Sequence, residues 1–377
     1  MDNEKTKFIT ISAKNSETVE FRKFKSIEGN DAVYDEKGSF SKQLSTNCGV
    51  FVFDIKKNEK LMVIVTPQYG CNFLNTKDNS VNTTVEIENQ NNFNKLLFKN
   101  KNKLLSSDKE DILFFKGDEK SKIKLTLSEI PYDKIEQINS LIKTFNNLTG
   151  CNLQKLPELN DKNKDTQITI NQPITITPFA FDVAGLFEFI ARKRIREIIN
   201  PEQDGEVLDD LEVLEGWEVL DGNEEENHHY VLKDENKDEN KEENEEENEE
   251  EYKKEYHIFG DVRPDIIIHK ENTDKYIIID AKYKSPDKND RDDRLQILAY
   301  AYLYDAHIVG HIFPAPAKSS GRKNNSKLES HELNTSLGKY DYVQLYLDDE
   351  NLSKNIKEII QKTEELCDKE NEQNGNQ

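Results

Sequence analysis

The chain has 377 residues, enough for two domains that each bury a core, and no apolar run reaches the roughly 18 residues of a membrane span. With no signal-peptide core after Met1, a cytoplasmic protein without a membrane partner is expected, and scattered Cys48, Cys71, Cys151 and Cys367 argue against a cysteine-based metal site or a disulfide framework. The net charge of -22 argues against nucleic-acid binding only until it is located: residues 202–251 hold 24 acidic side chains against three lysines, and the rest of the chain is close to neutral.

In chain order, residues 8–12, 18–21, 49–55 and 60–66 alternate apolar and polar, which predicts a mostly antiparallel, β-rich N-terminal domain over about 1–125. A helical connector and linker follow over 126–178. Its helix lies between Pro131 and Gly150, with Ile135, Ile138, Leu141, Ile142, Phe145 and Leu148 on one face, and residues 160–171 read as a polar linker. A second helix is predicted from about Asp182 to Ile199, stopped by Asn200-Pro201, and it carries Glu188 ahead of Arg192, Lys193, Arg194 and Arg196.

An imperfect repeat, Glu206-Val207-Leu208, Glu212-Val213-Leu214 and Glu218-Val219-Leu220, then runs into a Glu/Asn-rich stretch. Like charge and low hydrophobicity predict disorder at least over 234–251, within an acidic insertion at about 202–254. Tyr230-Val231-Leu232 and Tyr256-His257-Ile258, on either side of it, are short enough and β-prone enough to pair as a hairpin. Strands are predicted at 263–269, 276–283, 308–313 and 342–347, a helix apolar on most sides at 292–305, and a terminal helix from Leu352 to about Cys367. This is an α+β chain: a β-rich N-terminal domain, then an α/β domain over 179–350 with a mixed central sheet flanked by helices, then a helix and tail over 351–377.

The chemistry concentrates on one predicted hairpin. Centring its turn between Asn272 and Thr273 puts Asp265 opposite Asp280, so that both carboxylates reach one ion. Lys282 follows two residues later on the same face of the strand. Ionised groups at the end of Ile-rich runs, Ile266-Ile267-Ile268 and Ile277-Ile278-Ile279, are costly to desolvate unless paired or bound to a cation. The competing reading is an exposed edge strand with a weak Asp280–Lys282 surface pair, which accounts poorly for so much isoleucine.

Arg263-Pro264-Asp265-Ile266, Ile279-Asp280-Ala281-Lys282-Tyr283-Lys284, Gln296-Ile297-Leu298-Ala299-Tyr300-Ala301 and Ile312-Phe313-Pro314, in that order, resemble the PD-(D/E)XK nucleases. More narrowly they resemble the McrC family, the nuclease subunit of modification-dependent restriction systems. The resemblance implies a restriction-endonuclease-like fold and hydrolysis of DNA phosphodiesters. It also implies Mg2+, with Mn2+ as a substitute, held by Asp265 and Asp280 with the Ala281 carbonyl as a further ligand, and Lys282 orienting the attacking water. Gln296 and Tyr300 would lie beside the site on one helical face. A helix cap or core hydrogen bond for Gln296, and core packing for Tyr300, Tyr302 and Tyr304, stay open. Glu188 resembles the acidic residue of the helix that precedes the family's sheet, a further metal or water ligand; an i,i+4 surface pair with Arg192 competes. The basic residues after it read equally as phosphate contacts or as a solvated face.

The chain has no phosphate-binding loop, since Gly117-Asp118-Glu119-Lys120-Ser121 lacks the glycine before the lysine. The resemblance therefore implies a separate McrB-like AAA+ GTPase oligomer as partner, docked by the N-terminal domain, and modified DNA as substrate. A stand-alone repair or mobile-element nuclease is the enzymatic alternative. A non-catalytic adaptor that stimulates an NTPase is the other, and the intact Asp265, Asp280 and Lys282 count against it.

Overall fold

The computed structural model describes residues 5–13, 47–56, 59–67, 85–87, 114–117, 119, 121–157, 173–200, 214–220, 222, 263–288, 291–315, 328–335, 338–347 and 351–374. The predicted strand at 18–21, the linker at 160–171, the hairpin runs at 230–232 and 256–258 and the acidic stretch at 234–251 lie outside these residues. The chain divides into two units, 1–187 and 188–377.

The first unit is built on a six-stranded sheet of β1 (Lys5–Ala13), β2 (Asn47–Lys56), β3 (Glu59–Pro67), β4 (Val85–Ile87), β5 (Phe114–Gly117) and β8 (Phe179–Asp182). Its order is β1-β3-β2-β8-β5-β4, and β6 (Ile123–Thr126) and β7 (Pro173–Ile176) form a separate antiparallel pair. As the sequence predicts, the pairing is mostly antiparallel, with two exceptions: β1 runs parallel to β3 and β4 parallel to β5. Alternation assigns each residue to a face, but it does not encode the direction of the neighbouring strand.

Helix α1 (Tyr132–Thr149) covers this sheet with the predicted face, and all six of its named apolar positions are buried. Phe145 is its anchor, with its ring centroid 5.1 Å from Phe179 and 6.1 Å from Phe114. Gly150 ends the helix in the left-handed region at φ 69°, a backbone conformation that costs glycine nothing. β8 pairs with β2 and β5 of the first unit, and the two units divide inside helix α2 (Val183–Ile199). Asp182 caps that helix, its Oδ1 accepting from the backbone N–H groups of Ala184 at 3.0 Å and Gly185 at 3.3 Å.

The second unit carries another six-stranded sheet, in the order β13-β14-β12-β11-β10-β9. Its strands are β9 (Trp217–Leu220), β10 (Ile266–Lys270), β11 (Tyr276–Ala281), β12 (Ile308–Phe313), β13 (Glu329–Thr335) and β14 (Gly338–Tyr346). The last copy of the acidic repeat is thus a strand, antiparallel to β10. β11, β12 and β14 are mutually parallel, and β9, β10 and β13 pair antiparallel, so the sheet is mixed as predicted and the chain is α+β. Both isoleucine triplets are fully buried, as strands covered on both faces require.

Helix α3 (Arg291–Leu303) packs on this sheet through Ile297, Tyr300 and Ala301, which join Ile267, Ile278, Tyr304 and Val309 in one core cluster. It is not apolar on most sides: Leu295 and Tyr302 stand more than half exposed, which removes Tyr302 from the core. Helix α4 (Leu352–Asn374) runs seven residues beyond the predicted Cys367. Glu364 fastens it to the sheet, accepting from Lys270 Nζ at 2.6 Å and Trp217 Nε1 at 3.3 Å. No helix among the described residues is long and apolar enough to cross a membrane.

Candidate active site

The hairpin of β10 and β11 pairs Ile266 with Ile279, Ile267 with Ile278 and Ile268 with Ile277. One step further this register sets Asp265 against Asp280, as the turn around Asn272 predicts. Asn272 itself adopts a left-handed φ of 59°, which a short polar side chain tolerates. Pro264 lacks an N–H and so ends the ladder just ahead of Asp265. The backbone of Gly222 lies against it, so close that a Cβ on Gly222 would stand 1.7 Å from the Pro264 carbonyl oxygen.

Asp280 is buried at 1% exposure, and Asp265 is half-buried. The Ala281 N–H donates to Asp265 Oδ2 at 2.7 Å and holds that carboxylate against the end of β11. Lys282 Nζ forms an ion pair with Asp280 Oδ2, donates to Gln296 Oε1 at 3.0 Å and stands 3.8 Å from Asp293 Oδ1. Lys284 pairs with Asp293 at its other oxygen. Gln296 Nε2 donates to Tyr300 Oη at 2.6 Å, and Tyr300 Oη donates to the Arg263 carbonyl at 2.8 Å.

These groups shift one another's protonation. Burial pushes Asp280 up to about 8, the charge on Asp265 adds to the rise, and Lys282 works against it. Burial works against the charge on Lys282, but the carboxylates of Asp280 and Asp265 outweigh it and raise its pKa above the usual lysine value. Tyr300 is raised by burial and by the same two aspartates, so it stays a phenol and a donor.

Asp265, Asp280, Lys282, Gln296 and Tyr300 are therefore brought together. Gln296 is neither a cap nor a core residue; it is exposed and bridges Lys282 to Tyr300. Tyr300 is both a core aromatic, 3% exposed, and a member of the site's hydrogen-bond chain. Glu188 is different: its carboxylate faces Arg192 across one helical turn at 3.8 Å. Among the described residues no group of three or more His, Cys, Asp or Glu side chains assembles as a metal cluster, so Glu188 does not join the two aspartates. The basic residues of α2 are engaged as well, Arg194 with Glu197 at 2.9 Å and Arg196 with the Val219 carbonyl at 3.2 Å. Arg192 is buried, which removes it from a solvated face.

Two further residues belong to the site and escape sequence reasoning. Asp293, in the first turn of α3, reads as an ordinary helix-start carboxylate, yet it is buried and faces both lysines. His311 sits beside Asp280 in the parallel register of β11 and β12, fully buried, with Nε2 3.8 Å from Asp280 Oδ2. Burial and the charges of Lys282 and Lys284 lower its pKa to about 3, so the ring is neutral. Its one signal in the sequence is a polar residue inside an apolar strand.

The arrangement fits a hard divalent cation. Two carboxylates stand side by side, oxygen donors of the kind such a cation takes, and the buried one is met at Oδ2 by the Lys282 ammonium. A cation between them would favour the ionised form that burial now disfavours.

No curated protein matches the chain. Residues 225–314, the segment that holds Asp265, Asp280, Lys282, Gln296, Tyr300 and His311, match the family model of McrBC, described as a 5-methylcytosine restriction system component.

Proposed function

We propose that the chain is a metal-dependent DNA endonuclease of the PD-(D/E)XK type, the McrC-like cleavage subunit of a restriction complex. The observation that carries this reading is the placement of Asp265 against Asp280 at the end of one hairpin, with Lys282 paired to Asp280. Asp265 and Asp280, with the Ala281 carbonyl, would hold Mg2+ or Mn2+, which lowers the pKa of a bound water and offsets charge on the phosphoryl group. Glu188 would contribute only through rearrangement, since its partner is Arg192.

Lys282 is held by Gln296 and by two carboxylates, so its ammonium has a defined position from which to orient a nucleophilic water against a phosphodiester. Gln296, exposed at the helix surface, would meet the DNA backbone while it steers Lys282. Tyr300 keeps Gln296 in that pose by accepting from its amide and anchoring to Arg263.

The substrate in this reading is DNA bearing modified cytosine, the chemistry named in the family description. A McrB-like AAA+ GTPase oligomer would supply nucleotide hydrolysis, for which the chain has no phosphate-binding loop. The β-rich N-terminal unit would dock on it in the cytoplasm. The experiment is cleavage of methylated and unmethylated plasmid by the purified chain, with Mg2+, with and without that partner and GTP. Activity is expected only with both, and Asp280→Ala should abolish it. Undiminished cleavage by that variant would overturn the assignment, and strong cleavage by the chain alone would favour a stand-alone nuclease.

A further inference from the structure

His311 has a geometry that core packing does not account for. The imidazole is 0% exposed, and its Nε2 has no hydrogen-bond partner among the described residues although it stands 3.8 Å from Asp280 Oδ2. Buried ring nitrogens ordinarily find a partner. Nδ1 has one, lying 2.9 Å from Tyr342 Oη. Gln344 Nε2 in turn donates to Tyr342 Oη at 3.5 Å, the long end of the range. With Nδ1 accepting, a neutral ring carries its proton on Nε2, the nitrogen that faces Asp280.

We propose that His311 is a positioning residue for the carboxylate pair: its Nε2–H, set by the Tyr342 hydroxyl at Nδ1, donates to Asp280 and fixes that carboxylate's orientation as a cation ligand. The inference rests on the reading of Asp280 as such a ligand. It does not make His311 a ligand itself, because a hard cation takes oxygen donors and the histidine completes no metal cluster with the aspartates. Parallel pairing supplies the arrangement, since Asp280 and His311 are register partners whose side chains share one face of the sheet. Tyr342 lies on β14, the next strand, so three adjacent strands contribute one row of polar side chains.

The experiment measures Mn2+ binding to the full-length chain by electron paramagnetic resonance, together with the 15N shifts of the histidine rings in the metal-free protein. Wild type, Asp280→Ala, His311→Leu, His311→Gln and Tyr342→Phe are compared, and the His311 signals are identified by their absence from His311→Gln. The expected result is a neutral ring protonated at Nε2. Mn2+ affinity should fall about 10-fold or more in His311→Leu. It should recover in large part in His311→Gln, whose amide still donates, and should fall less in Tyr342→Phe. Should His311→Leu not fold, Tyr342→Phe carries the test. A ring protonated at Nδ1, or unchanged Mn2+ affinity in the folded His311 and Tyr342 variants while Asp280→Ala has lost it, would overturn the role of His311 alone. Unchanged affinity in Asp280→Ala would overturn the cation site itself.

Discussion

Gln296 and Tyr300, one turn apart on α3, form the middle of a hydrogen-bond line that starts at Lys282 Nζ and ends at the Arg263 carbonyl, with links of 3.0, 2.6 and 2.8 Å. The line joins the lysine that follows β11 to the backbone two residues ahead of Asp265. One helix thereby fixes both ends of the hairpin on which the site is built, and a change at Tyr300 is expected to reach the chemistry without touching a carboxylate.

Tyr300→Phe keeps the buried ring and removes the hydroxyl. Gln296 and Arg263 are exposed and can turn to water, so the stability loss should be modest, about 1 kcal/mol. The cleavage rate should fall more, roughly 10- to 100-fold, because Lys282 loses its fixed partner. Tyr300→Ala adds a cavity and should cost about 3–5 kcal/mol. Urea midpoints and single-turnover cleavage separate the two effects. Equal rates in wild type and Tyr300→Phe would show that the line has no catalytic part.

The raised pKa of Asp280 predicts how stability depends on pH without a metal. A carboxyl raised in the fold from 3.8 to about 8 favours the protonated folded state. The stability it contributes is complete below about pH 4 and is lost as pH rises through about 8. Asp280→Asn mimics the protonated form, so in a chelator its melting temperature should match wild type at or below about pH 4 and exceed it near pH 9. Mg2+ should raise the wild-type melting temperature more at pH 8 than at pH 6, and should leave Asp280→Asn unmoved. Parallel pH profiles for the two proteins would contradict the buried pair.

Lys282→Met keeps a stem of similar length and removes the charge. With no ammonium competing for Asp280 Oδ2, cation binding should be retained or tightened while cleavage is lost. Calorimetric titration with Mg2+, run beside the cleavage assay, checks the split. A parallel loss of both would mean that Lys282 serves the carboxylates and not the water.

Among the described residues of the second unit, Gly310 and Gly222 admit no Cβ. At Gly310 it would lie 2.4 Å from the Val343 carbonyl oxygen and 2.5 Å from Val343 Cγ2, and at Gly222 it would lie 1.7 Å from the Pro264 carbonyl oxygen. Gly310→Ala and Gly222→Ala should each destabilise by about 1–3 kcal/mol. Gly222→Ala should also lower cleavage, because Pro264 moves with Asp265 beside it. Thermal melts that leave either alanine variant at the wild-type midpoint would show that the strands yield at no cost.

What could be read directly from the chain is what short separations control. A five-residue connection sets the register of β10 and β11, and with it the opposition of Asp265 to Asp280. Helical periodicity with Pro131 and Gly150 defines α1, whose every named apolar residue is buried. The strand period of two puts Lys282 beside Asp280. The pairing of Asp280 with His311 spans 31 positions and depends on a parallel neighbour, which no local pattern encodes. Glu188 has a local partner, Arg192, within one turn, and the fold leaves it there. Asp293 faces Lys282 and Lys284 only because α3 packs back onto the sheet, and β8 joins the first unit because its ladder partners are β2 and β5. Local sequence sets which face each residue takes, because backbone geometry repeats every two or 3.6 residues. Which faces meet is decided by burying the isoleucine strands against α3 and one another, and that is a property of the whole core.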